Sequence, residues 1–244
     1  MRSLGLSMPS PMDFMRYPSI AGAFLVSLLP LAGVFLWGWT ASVLVLVFWL
    51  ENLIIGVFAL LRMTASVAPT GVLGFGVLAV AGPFFVMHYG GFCTGHGAII
   101  MSLTHTGPAN SPLTASLELG TMVKAAIGAA PGVGATLGVI AAWKGILFLG
   151  QFLRRGDYLT TNPIAEMFRP YGRIVTLHLA IFAGFLGLVA LGEPAWGMLI
   201  LIALKTAYDV ATAKADAVAG PRSSLTAINQ AWELIKTRLG QRKL

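Results

Sequence analysis

Glu51, His88, His178 and Asp209 stand out chemically because each interrupts a long apolar run. A charged side chain at bilayer depth costs at least about 2.5–3.5 kcal/mol on insertion scales, so each such group needs a partner or a purpose. Imidazole and carboxylate groups together are ligands for a transition metal (zinc, iron or copper), and helical bundles hold mixed sites of this kind. Three more polar residues surround the set: Asn52 beside Glu51, His96 downstream of His88, and Lys205 upstream of Asp209.

Spacing limits what these groups can do. His88 and His96 stand about 12 Å apart on a straight helix, so they share one ion only if the helix unwinds at Gly90 and Gly91. Lys205 and Asp209 lie one turn apart and share a face. With alternating spans, Asp209 comes level with His178. Glu51, Asn52, His88 and Lys205 then form a group near mid-depth, and His96 stands nearer the outer face. No His-x-x-x-His, Glu-x-x-His or Cys-x-x-Cys pattern occurs. A second chemistry is therefore an ion-paired network, Glu51 with Lys205 and His178 with Asp209, that sets helix packing. A third is a proton or solute path lined by the same residues. Haem held between His88 and His178 is a weaker variant, since the acids would crowd its edge. Lys144, beside Trp143 in mid-span, wants a partner such as Glu51. Cys93, the only cysteine, permits no intrachain disulfide and reads as a small buried hydrophobe.

The elements that must position these residues follow from composition. The chain has 244 residues, 57% hydrophobic and 10% charged, with a mean hydropathy of +0.81. So few charges cannot cover a soluble globule. An all-α, polytopic bundle of about six transmembrane helices is expected, near 18–39, 41–63, 72–104, 134–153, 174–192 and 195–213, each close to the roughly 20 residues needed to cross about 30 Å of hydrocarbon. The first stretch exceeds a signal-peptide core and lacks a clear cleavage site, so it reads as a retained helix. The third is overlong, with Pro83, Gly90 and Gly91 as places to kink or break.

The chain divides into an N-terminal segment 1–17, the membrane domain 18–213 with an outer segment 105–131, and a tail 214–244. Within the outer segment, Leu117 to Ala130 reads as an interfacial or re-entrant helix, and His105 as an exposed loop residue. The tail's stripe of Leu225, Ile228, Trp232, Ile235 and Leu239 suits a helix on the cytoplasmic leaflet, under the bundle, or in a dimer contact.

A formal charge of +7 could suggest nucleic acid, but the positive residues fall between apolar stretches, where they act as orientation signals and headgroup contacts. The partner is the lipid bilayer, with no nucleic acid and with homo- or hetero-oligomers left open. Arg62, Arg154, Arg155, Arg169, Arg173 and most other cations fall on one side and Lys124 on the other. This places both termini on the cytoplasmic face of the inner (plasma) membrane.

Trp49-x-Glu51-Asn52, Phe84-Phe85-x-x-His88-Tyr89-Gly90-x-Phe92-x-x-x-His96-Gly97, Pro170-x-x-Arg173, Leu177-His178 and Lys205-Thr206-x-x-Asp209 together resemble an uncharacterised bacterial family of multi-pass membrane proteins, a domain of unknown function. The resemblance runs from about residue 40 to 213 and implies the architecture without supplying a reaction. The family's further histidine, one turn past the aspartate, is Ala213 here. Membrane enzyme with a bound metal, proton-coupled transporter or channel, and non-catalytic scaffold or accessory subunit are the three classes left open. Neither a phosphate-binding glycine loop nor a Ser/His/Asp arrangement is present.

Overall fold

Long apolar runs with few charges have one low-energy arrangement in lipid, in which each segment satisfies its own backbone as a helix. The computed structural model describes residues 18–104, 118–175 and 194–219, and in the tail 230, 232–235 and 237–238; among them there is no strand. Helix α1 (Pro18–Ser27) and helix α2 (Leu29–Trp37) form one span broken at Leu28. Pro30, without an amide hydrogen, enters at the first turn of α2, where it is tolerated. Gly38, at φ 64°, closes α2 in the left-handed conformation.

Helix α3 (Ala41–Ala65) is the centre of the bundle: 61% of its apolar window is buried, against 17–22% in the other spans. After a tight turn comes α4 (Gly71–Thr104), continuous through Pro83 and both glycines. Of the kink or break that these residues allow, the helix shows no break. At 1.5 Å per residue α4 is about 51 Å long, more than the hydrocarbon needs.

Segment 105–131 supplies α5 (Leu119–Ile127), inside the run expected to be interfacial or re-entrant and, at nine residues, too short to span. Its Met122 and Ala126 pack with Val43 and Leu44 at the start of α3, Met101 at the end of α4, and Val133 and Leu137 at the start of α6 (Val133–Leu147). Thus α3 and α6 run in one direction and α4 in the other. Helix α6 passes into a π-helical turn, Phe148–Arg154, then a short 3₁₀ turn, Asp157–Thr160.

Helix α7 (163–175) starts on a strong signal: Asn162 Oδ1 accepts the amide of Ala165 at 3.0 Å, and Pro163 follows the cap. Helix α8 (Pro194–Ala219) packs along α1 and crosses α3.

Among the described residues, four helices are long and apolar enough to cross a membrane: Pro18–Trp37, Ala41–Ala65, Gly71–Ser102 and Val133–Arg154. Of the six expected, the fifth (174–192) falls almost wholly outside the described residues. The sixth is the helix α8, which carries Lys205 and Asp209 and is not among the four. In the tail Trp232 is buried while Leu234 and Ile235 are exposed, so the stripe is not one uniformly covered face; Leu225, Ile228 and Leu239 lie outside the described residues.

Candidate functional site

Four ions, two buried and two largely so, are brought by three helices and close on one another in alternating sign. Arg173, on α7, sets Nη2 2.6 Å from Glu51 Oε1 on α3 and bonds Asp209 Oδ1 on α8 through Nη1. Lys205, one turn before Asp209, donates to its Oδ2 at 2.7 Å. Its Nζ also lies 3.1 Å from Glu51 Oε2, an ion pair by distance without hydrogen-bond alignment. The loop runs acid, base, acid, base and its charge sums to zero. Glu51 is 2% exposed, Lys205 6%, Asp209 10% and Arg173 12%. From α1, Ser27 Oγ donates to Asp209 Oδ2 at 2.9 Å, immediately before the break at Leu28. The bidentate fork of arginine suits the bridging of two carboxylates on different helices.

The structure therefore brings Glu51, Lys205 and Asp209 together. It does not bring His88 to them. His88 is exposed on α4, stacked on Phe84 with ring centroids 5.4 Å apart, and its Nδ1 is 2.9 Å from the Tyr171 hydroxyl. His96 Nδ1 lies 2.9 Å from the Phe92 carbonyl; a carbonyl only accepts, so Nδ1 carries the hydrogen. Asn52 is buried beside Glu51, and its Oδ1 has no hydrogen-bond partner among the described residues. His178 lies outside the described residues, as does its expected pairing with Asp209. Among the described residues no three His, Cys, Asp or Glu side chains group so as to hold a metal ion. The metal set read from sequence, Glu51, His88, His178 and Asp209, thus has its carboxylates bound to cations and one histidine turned to a different partner.

The sequence marks Arg173 as an orientation charge and as part of the Pro170-x-x-Arg173 motif, but not as a partner of Glu51 and Asp209. The available signal was its place directly before an apolar run, within reach of acids at the same depth. Sequence reasoning missed Ser27 and a second charge cluster. Glu166, 1% exposed, accepts from Arg62 Nε at 2.6 Å and from Thr161 Oγ at 2.8 Å, with Arg169 Nε at 3.5 Å. Burial opposes ionisation of Glu166, but the two guanidinium groups and the hydrogen bonds outweigh it and hold the carboxyl below its ordinary value of 4.5. This cluster ties the end of α3 to α7, and Arg62 also lies 3.9 Å over the Phe152 ring of the π turn.

Several residues of the recognised motifs dock α3 on α4. Trp49 Nε1 donates to the Cys93 carbonyl at 2.8 Å, and its ring occupies the space that a side chain at Gly97 would need. The Tyr89 hydroxyl donates to the Asn52 carbonyl at 2.9 Å across Gly56, where a Cβ would meet the Tyr89 ring at 2.6 Å. Each contact pairs a buried polar tip with a backbone carbonyl that still has a free lone pair.

Residues 10–226 match the family of unknown function DUF6498, and the chain belongs to that family. No curated protein and no solved structure matches it.

Proposed function

We propose that this DUF6498 member is a multi-pass protein of the plasma membrane, with its basic end cytoplasmic, in which the ring of Glu51, Arg173, Asp209 and Lys205 is a non-catalytic lock that sets helix register. One observation carries the reading: both acids are neutralised by cations from other elements, so their oxygens serve packing rather than ligation. Buried pairs of this kind add little net stability over an apolar replacement, yet are costly to break singly, which makes them registration devices.

The test removes one member. Arg173→Ala leaves two carboxylates facing a single ammonium and should cost about 3–5 kcal/mol, the usual penalty for orphaning a buried charge. Arg173→Lys should recover part of this, because a point charge reaches one acid but not both. Thermal unfolding of the detergent-purified protein reads both variants. Equal stability of Arg173→Ala and wild type sinks the lock. So does stoichiometric zinc, iron or copper in the purified protein that disappears in His88→Ala.

A further inference from the structure

His88 is exposed although it lies deep within the longest span. At 1.5 Å per residue it stands about 25 Å from either end of α4. Ionisable side chains inside a membrane almost always face the bundle interior or a water-filled cavity, because acyl chains offer no hydrogen bond. One ring nitrogen is provided for: Nδ1 is 2.9 Å from the Tyr171 hydroxyl. The other, Nε2, has no hydrogen-bond partner among the described residues.

Whatever meets Nε2 must carry a polar atom at that depth. Phospholipid headgroups lie at the two interfaces, about 15 Å from the middle of the hydrocarbon, and do not reach it. A second copy of this chain supplies the atom by symmetry. Two copies inserted in one orientation are related by an axis along the membrane normal, which sets each residue level with its counterpart. The imidazole is also self-complementary, since its neutral form has one donor nitrogen and one acceptor. Nε2–H of one copy donates to the bare Nε2 of the other, so the two copies hold opposite tautomers. The Tyr171 hydroxyl serves both: it donates to a bare Nδ1 in one copy and accepts from Nδ1–H in the other.

The surroundings suit such a contact. Met87 is 78% exposed and Phe84, which stacks on the imidazole, 52%. Phe168, also exposed, stacks at 5.9 Å on Tyr171. Methionine and aromatic residues are the types enriched where proteins meet. We infer that a second copy of the chain docks on this face of α4 in the same orientation, with the two His88 imidazoles hydrogen-bonded to each other. The contact uses no member of the ion ring and stands or falls apart from the lock.

The experiment oxidises single introduced thiols with copper phenanthroline in native membranes, using the full chain with Cys93→Ser as background. Met87→Cys should give a crosslinked dimer, and Leu25→Cys, 65% exposed on α1, should not. Crosslinking of neither, or of both equally, overturns the contact. Native mass spectrometry in mild detergent reads the affinity. His88→Leu should weaken dimerisation roughly three- to tenfold, the span of one interhelical hydrogen bond, while His88→Gln, whose amide is also both donor and acceptor, should retain it. A dimer undiminished in His88→Leu overturns the proposal. Wild type that is monomeric at every concentration does so too, whether or not the variants fold, and leaves a membrane-soluble ligand as the occupant.

Discussion

Charge placement governs the packing at the residue scale, and Glu166 gives its clearest test because it lies outside the four helices long and apolar enough to cross a membrane. Its folded carboxyl ionises more readily than an unfolded one, since Arg62 and Arg169 overcome the burial that resists the charge. The lowered folded value sets the sign. The stabilisation is complete above the ordinary value of 4.5 and is lost as pH falls through the lower, folded value. Glu166→Gln should therefore cost roughly 3 kcal/mol at neutral pH, and the gap from wild type should close progressively under acid conditions. Unfolding curves of both proteins across that range measure it; a gap that widens toward low pH contradicts the assignment. What sequence could supply here was uneven. Glu51, Lys205 and Asp209 were legible because a charge inside an apolar run is conspicuous. Arg173 and Glu166 sit among other charges between apolar runs, where nothing in composition distinguishes an enclosed ion from a solvated one.

At the scale of elements, the α3–α4 contact is built from shape more than charge. Trp49 rests where Gly97 has no side chain, while a Cβ at Gly95, two residues and about half a turn earlier on α4, would meet open space. Gly97→Ala should lose about 1–3 kcal/mol through overpacking against the indole. Gly95→Ala should be neutral or gain up to about 1 kcal/mol from helix propensity. Thermal unfolding of the two variants side by side decides, and equal behaviour would mean that Trp49 can move aside. The motifs Trp49-x-Glu51-Asn52 and Tyr89 to Gly97 were visible as patterns, but their use as backbone-carbonyl donors was not, because a linear sequence does not say which carbonyl a ring reaches. The same limit explains the expected break in α4. Pro83 removes one hydrogen bond, a loss that membrane helices tolerate where neighbouring groups re-satisfy the carbonyl. The first span does break, at Leu28 ahead of Pro30, where the sequence suggested a single helix.

Across the whole molecule, alternation of the spans and separation of charge agree. The start of α3, the end of α4 and the start of α6 meet around α5, which carries Lys124. The opposite end holds Arg62, Arg169 and Arg155 about Glu166 and Asp157. Hydropathy made these spans legible because each is long and nearly free of charge. Cation asymmetry then predicts which end is cytoplasmic. Cys93 is the only cysteine and is buried, so Cys93→Ser provides a background for single introduced thiols. Lys124→Cys should react with a membrane-impermeant maleimide on intact cells. Arg155→Cys, at a site where the native side chain is 49% exposed, should react only after the membrane is opened. The reverse pattern would invert the protein in the bilayer. Labelling of both sites on intact cells would mean that α5 and the 3₁₀ turn share one face, which is incompatible with α6 crossing the membrane between them.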